Sequence, residues 1–174
     1  MKTLVIGHSV GIGKAIKDRL KSDGIGISTG FDISKFHPNF DYSNYNTIVL
    51  NAYANFCDQL KTIYDIVENK TFSKDKLLIV IASTSAYKTN PSNLYWSQYY
   101  TEKAAIIQTC RDLNTMGYNT SVISPGTVDT HRNDHKDIPK ISPDIIADVV
   151  ENITLNYFFN DIIIEHLVIR KRKN

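Results

Sequence analysis

The sequence predicts an α/β fold in which a parallel sheet of about six strands is wound on both faces by helices. Three observations lead there. Short runs of aliphatic and β-branched residues alternate along the chain with stretches of helical period. The apolar runs are continuous rather than alternating with polar residues, the mark of strands buried on both faces. The first passage from strand to helix is rich in glycine, and sheets of this kind bind ligands at such a turn.

Taken in order, Leu4-Val5-Ile6 reads as the first strand, and Ile12, Ile16 and Leu20 follow at four-residue spacing as one helical stripe. Ile25-Gly26-Ile27 reads as the second strand and completes a βαβ unit. A further crossover does not fit between Thr29 and Asp32, since it needs roughly ten to twelve residues. From Asp32 to Asn46 the chain carries Pro38 and four aromatic residues without helical period, so one βα unit at this edge is expected to be lost or collapsed into a loop. Thr47-Ile48-Val49-Leu50 is the next strand, followed by a helix bearing Leu60, Ile63 and Val67. Leu77 to Ala82 is the strongest strand, and a helix with Ile106, Cys110 and Leu113 follows. Ser121-Val122-Ile123 is a strand, Ser142 and Pro143 open a helix as N-cap and first-turn residue, and the last strand lies near His166-Leu167-Val168-Ile169. With no repeat and no linker composition, residues 1–174 are expected to form one domain, its substrate lobe reduced to a short segment near 130–142.

Composition narrows the function. Forty-two per cent hydrophobic residues in 174 can build a real core. Twenty basic against 18 acidic residues give +2, which argues against a nucleic-acid surface, and the run Arg170-Lys171-Arg172-Lys173 reads as a solvated terminus. Cys57 and Cys110 fit no metal or redox spacing and are expected to be reduced thiols in a cytoplasmic protein. His8, His37, His131, His135 and His166 are scattered, so no metal site is expected. No apolar run approaches the roughly 20 residues of a membrane span.

The chemistry gathers at three places. Tyr99 and Lys103, four residues apart at the start of a helix-compatible run, share one helical face. A phenol ionises near pH ~10, and a cation about 4 Å away contributes roughly 4 kcal/mol toward its phenolate at an effective dielectric of about 20. Gly7-His8-Ser9-Val10-Gly11-Ile12-Gly13 stands where the first strand turns into its helix, where backbone amides and the helix N-terminus attract a pyrophosphate. Ser83, Thr84 and Ser85 end the central strand and Pro125-Gly126-Thr127-Val128-Asp129-Thr130 follows the next, both on the rim where ligands bind.

In this order the pieces resemble the short-chain dehydrogenase/reductase family over Lys2 to about Ile169, and the fold the resemblance implies is Rossmann-like. The loop Gly7, Gly11, Gly13 resembles the family's GxxxGxG, Asn51-Ala52 its NNAG element, Ser85, Tyr99 and Lys103 its catalytic serine and YxxxK, and Pro125, Gly126, Val128 and Thr130 its PGxVxT. That resemblance implies Tyr99 as general acid/base, Ser85 as donor to the substrate oxygen, and Lys103 as both the partner that lowers the tyrosine pKa and a clamp on the nicotinamide ribose. It further implies cofactor contacts from Gly7, Ser9, Gly11, Ile12, Gly13, Asn51, Ala52, Pro125, Gly126, Val128 and Thr130, with Asp32 and Ile33 at the adenine. Tyr53 departs from the pattern, which has glycine there, and the family's supporting asparagine has no counterpart; Asn69 is too close to Ser85, leaving Asp58 or a water in its stead. Tyr53, Phe56, Tyr95 and Trp96 flank the site in sequence and are candidates for an aromatic substrate pocket.

The expected protein is an NAD(P)-dependent oxidoreductase that interconverts a carbonyl and an alcohol of a small molecule. Its expected cofactor is NADP or NAD with a slight lean to NADP, because neither a carboxylate nor a basic residue follows the second strand or fills the Val10 position. A homodimer through the helices near 57–69 and 99–113 follows from the resemblance. Two other readings stay open: a non-catalytic NAD(P)-binding sensor module, and an epimerase or dehydratase acting on a nucleotide sugar.

Overall fold

A computed structural model describes residues 1–35 and 37–172. Phe36 of the aromatic segment and Lys173 of the basic run lie outside the described residues. The strands are β1 (Thr3–Ile6), β2 (Asp23–Ile25), β3 (Thr47–Leu50), β4 (Leu77–Ile81), β5 (Asn119–Pro125) and β6 (His166–Ile169), and the helices are α1 (Gly11–Leu20), α2 (Asp58–Val67), α3 (Leu94–Thr115) and α4 (Pro143–Asn160). All strand pairs are parallel, in the order β2-β1-β3-β4-β5-β6.

Strand alternation sorts the core into two layers. Leu4, Ile6, Ile48, Leu50, Leu78, Val80 and Val122 point to one face and pack with Ile63 and Ile66 of α2 and Ile106, Cys110 and Leu113 of α3. Val5, Val49, Leu77, Ile79, Ile81 and Ile123 point to the other, against Ile16 of α1 and Ile146, Val150 and Ile153 of α4. Side chains of this size contribute about 1.5–3 kcal/mol each when fully buried, so the sheet itself dominates the stability. Arg19 ties α1 to α4 through Asp148 and, at 2.9 Å, Glu151. Ser142 caps α4 by accepting from the Asp144 amide at 3.3 Å, with Pro143 in the first turn as expected.

Two boundaries differ from the sequence reading. The second strand stops at Ile25, and Ile27 belongs to a 3₁₀ turn, Ile27–Thr29, because Thr29 closes back on Gly26 at 2.9 Å. Helix α3 begins at Leu94, five residues before Tyr99, where the Asn93 side chain accepts from the Trp96 amide at 3.1 Å. The reduced edge is as expected: β2 is an edge strand, and residues 37–46 hold no helix or strand. In their place Phe31 stacks on His37 and meets Phe40, and Tyr42 is buried beneath the sheet edge. Among the described residues no helix is long and apolar enough to cross a membrane.

Candidate active site

The carboxyl ends of β1, β3, β4 and β5 bring the glycine loop, Asn51-Ala52, Ser83 and Pro125 to one rim. The loop there is unusually tight. A Cβ on Gly13 would sit 1.9 Å from the Gly7 carbonyl, and one on Gly7 would sit 2.6 Å from the Ala52 amide, so neither position admits a side chain. Asn51 locks the loop by donating from Nδ2 to the Gly7 carbonyl at 2.9 Å. The N-terminus of α1 opens at Gly11 with no acidic residue in its first turn. Free amides at a helix start and a backbone that tolerates close approach are the chemistry a dinucleotide pyrophosphate requires, and on that observation the residues fit the cofactor.

Pro125 ends β5, and the Gly126 amide donates to the Ile169 carbonyl at 2.8 Å. Val128 is buried and bridges to Ile141, whose amide and carbonyl pair with Thr127 and Asp129 at 2.9 and 2.8 Å. That bracket holds Thr130 against the glycine loop, where a Cβ on Gly11 would meet Thr130 Cγ2 at 3.0 Å. Ser9 is exposed and shares a hydrogen bond with Ser28 at 3.0 Å, and Ile12 is half-buried. Asp32, its side chain 30% exposed, accepts from the Ser34 amide and hydroxyl at 3.0 and 2.9 Å, which holds its carboxyl below the usual range, and Ile33 beside it is packed in the core.

Tyr99 stands half-buried on α3 within a contiguous set of rings. Tyr53 meets it edge-on at 5.2 Å and Trp96 at 5.8 Å, Tyr95 packs on Trp96 at 5.3 Å, and Tyr100 lies 6.5 Å from Tyr99. Three of the four expected pocket aromatics are thus gathered; Phe56 is exposed and outside this set. Of the strand-end hydroxyls, Ser83 is the one that favours the Tyr99 phenolate. Ser85 lies one turn on, its amide donating to Ser83 Oγ at 3.1 Å, because Ser83 caps the 3₁₀ turn Thr84–Tyr87. Ser85 is the serine expected from the sequence; Ser83 is the first hydroxyl after the apolar run and stands two residues before it.

Lys103 is 2% exposed, and its ammonium donates to Gln59 Oε1 while lying over the Tyr53 and Tyr99 rings at 4.6 and 5.1 Å from their centroids. Gln59 is fully buried and donates in turn to the Ile81 carbonyl at 3.0 Å. Burial pushes the Lys103 pKa down to about 8, with Glu102 opposing and Arg132 adding to the fall. The expected lowering of the Tyr99 pKa by Lys103 is not what this geometry produces. Burial raises the Tyr99 pKa, and the groups that pull it back are Ser83 and Arg132. The lysine sits over the ring face, away from direct contact with the phenol oxygen. Likewise its ammonium, covered by Tyr53, does not present itself as a ribose clamp in this conformation.

Gln59 and Arg132 are the site residues that sequence reasoning missed. Asp58, considered there as a relay, instead accepts from the Asn55 amide and side chain at 2.9 and 3.1 Å and braces the entry to α2.

No family model matches the chain, and no curated protein matches it in sequence. Solved structures do. An alcohol dehydrogenase from the archaeon Thermococcus sibiricus, complexed with 5-hydroxy-NADP, superposes with a TM-score of 0.72 at 19% identity over 100% of this chain and 99% of that one. A serine dehydrogenase complexed with NADP+ gives 0.74 at 16% identity over 97% and 94%. A Serratia marcescens short-chain dehydrogenase/reductase gives 0.72 at 17% identity over 97% and 95%. The six parallel strands with helices on both faces are a Rossmann-like α/β fold. Within that class, the chain has the fold of the short-chain dehydrogenase/reductases.

Proposed function

We propose that the chain is an NAD(P)-dependent oxidoreductase that interconverts a carbonyl and an alcohol of a small molecule at Tyr99. The observation that carries this reading is a buried lysine 5.1 Å from the centre of the Tyr99 ring, with Tyr53 linking that ring to a glycine loop of dinucleotide geometry. The NADP-bound dehydrogenases of the same fold support it. Gly7, Ser9, Gly11, Ile12, Gly13, Asn51, Ala52, Pro125, Gly126, Val128 and Thr130 form the cofactor cradle. When bound there, the cofactor supplies or accepts the hydride at the substrate carbon. Tyr99 gives or takes the proton at the oxygen; its raised pKa keeps the phenol protonated near neutrality, as a general acid must be. Ser83 donates to the same oxygen and stabilises its developing charge, a role assigned here in preference to Ser85. Lys103, oriented by Gln59, sets the field beneath the ring.

The serine pair Ser9 and Ser28 supports the slight lean to NADP, since neutral hydroxyls donating to a 2′-phosphate contribute only about 1 kcal/mol each. Residues 1–174 act as one domain in the cytoplasm, a reading in keeping with the unpaired thiols Cys57 and Cys110. Two copies associate through α2 and α3, whose outer faces expose Tyr64 and Ala104.

One observation favours a second reading. Tyr53 seals the Lys103 ammonium, and a protein that binds NAD(P) as a sensor without turnover has no need to open it. Tyr99→Phe separates the two. On the oxidoreductase reading it leaves NADPH binding, followed by cofactor fluorescence, nearly intact and lowers carbonyl reduction by roughly 10²–10⁴-fold. Wild type that binds NADPH yet reduces no member of a broad ketone and aldehyde panel would sink the enzyme reading.

A further inference from the structure

We propose that the substrate of this site is a carbonyl compound carrying an anionic group, a carboxylate or a phosphate ester, held by Arg132 with Lys88 and Lys136 completing a cationic mouth above Tyr99. The proposal rests on the oxidoreductase reading. Arg132 sits in the 3₁₀ turn His131–Asn133 that directly follows Thr130. Since Thr130 abuts Gly11, this turn is pinned beside the glycine loop, on the rim where Ala52 abuts Gly7 and the adjoining Tyr53 meets Tyr99 at 5.2 Å. From there its guanidinium acts on three groups of the pocket, favouring the ionised forms of Tyr53 and Tyr99 and opposing the charge of Lys103.

Among the described residues nothing acidic pairs with Arg132. In its own loop His131 takes Asp134 at 3.0 Å, and Asp129 lies 3.7 Å from Lys140. The acidic group that Tyr99 feels, Glu102, is 1% exposed with both carboxylate oxygens unbonded, so it does not neutralise the guanidinium by contact. Asn133 is tied to the backbone, donating to the Val128 carbonyl at 2.9 Å, and it accepts from Lys136 Nζ at 2.6 Å. Lys136 in turn feels the charge of Lys88, which caps the turn bearing Ser85 and lies over the Tyr100 ring at 5.6 Å. Arg132 therefore repels Lys103, and Lys88, beside the Tyr100 ring, repels Lys136. Like charges held together in this way are relieved by an anion, and a guanidinium fork recognises carboxylate or phosphate oxygens with two hydrogen bonds. The wall of Tyr95, Trp96 and Tyr99 accommodates the uncharged part of such a molecule.

The test compares charged and neutral partners of one carbonyl with NADPH: 2-keto acids against their methyl esters, and dihydroxyacetone phosphate against dihydroxyacetone. The expected kcat/KM ratio favours at least one charged series by roughly tenfold or more, and Arg132→Leu reduces that ratio toward one, mainly through KM, while Arg132→Lys restores part of it. Taking the ratio cancels any effect of Arg132 on the Tyr99 proton, which both partners share. Neutral and charged members reduced equally well, or a ratio unmoved by Arg132→Leu, would overturn the proposal. So would weaker NADPH binding by Arg132→Leu in fluorescence titration, because the cation would then serve the cofactor. If NADPH binds and no carbonyl is reduced, the oxidoreductase reading fails by itself. The anion site is then read from thermal unfolding of the NADPH-loaded chain. A rise in Tm with the charged compounds, absent with the neutral ones and lost in Arg132→Leu, retains it, and no rise overturns it.

Discussion

Gln59 holds Lys103 from below: its side-chain oxygen accepts from the ammonium while its amide is fixed to the Ile81 carbonyl at 3.0 Å, all of it out of water. A buried donor that loses its acceptor costs about 1–3 kcal/mol, and more when charged. Gln59→Leu is therefore expected to lower the unfolding free energy by at least that much in a urea titration, whereas Gln59→Leu made in a Lys103→Met background, where no buried charge is left without its acceptor, loses less. Equal losses in the two backgrounds would show that the contact does not hold the lysine.

The lysine gives a pH signature of known sign. Its folded pKa, about 8, lies below the value of 10.5 it takes in the unfolded chain. Between these limits the unfolded chain carries the extra proton, so stability gains from rising pH. The burial penalty on the charge is present in full below about pH 8 and is relieved by pH 10.5, a change of roughly 3 kcal/mol at most. Lys103→Met should lack that rise, which denaturant titrations at pH 7, 9 and 10.5 measure directly.

Ser83→Ala is expected to reduce turnover more than Ser85→Ala. Removing a donor to a developing oxyanion costs roughly 10²–10³ in kcat, and it is Ser83 that favours the Tyr99 phenolate. Ser85→Ala leaves in place the backbone amide that bonds Ser83 Oγ. The reverse ranking in steady-state reduction of any turned-over carbonyl would restore Ser85 to the role.

Tyr53→Gly uncovers the Lys103 ammonium by removing the ring 4.6 Å above it. We expect NADPH to bind tighter by about tenfold, or 1.4 kcal/mol, and the urea midpoint to fall as the edge-on contact with Tyr99 is lost. Unchanged or weaker binding in a fluorescence titration would mean that the cofactor does not reach Lys103.

Gly13→Ala drives a methyl into the Gly7 carbonyl, since the Cβ position is 1.9 Å from that oxygen. The loop must open, and with it the hydrogen bond from Asn51. NADPH binding should fall below detection while far-ultraviolet circular dichroism stays near wild type; a binding variant would place the cofactor elsewhere.

The strands were legible because burial on both faces leaves continuous apolar runs, as in Leu77 to Ile81, and the α4 start because Ser142 and Pro143 announce it. Tyr99 and Lys103 were legible as a pair by helical spacing. Their electrostatics were not, because the charge on Lys103 depends on Gln59 and Tyr53, residues 44 and 50 positions away that only the sheet brings underneath and over it. Ser83 and Ser85 are equivalent as letters, and only the 3₁₀ turn separates them, Ser83 as its cap and Ser85 within it. Ile27 was misread because β-branched residues suit strands, while the Thr29 hydroxyl offered the backbone a competing turn. Arg132 carried no pattern at all; its meaning comes from the contact of Thr130 with Gly11.

The strand order has a consequence for how the molecule is made. β2 joins one side of β1 and β3 the other, and from β3 onward the sheet grows in one direction, β4, β5 and then β6 each joining the strand synthesised before it. Emergence from the ribosome thus matches the order of addition. At each stage the newest strand presents an open row of backbone donors and acceptors, and parallel pairings across whole helices close slowly. The nascent chain that ends after β5 is exposed in this way: the residues of that strand are buried in the finished sheet, and its outer ladder stays open until β6 arrives. A pause in translation between Pro125 and His166 would prolong that state, and a chaperone acting on this protein would find its substrate there.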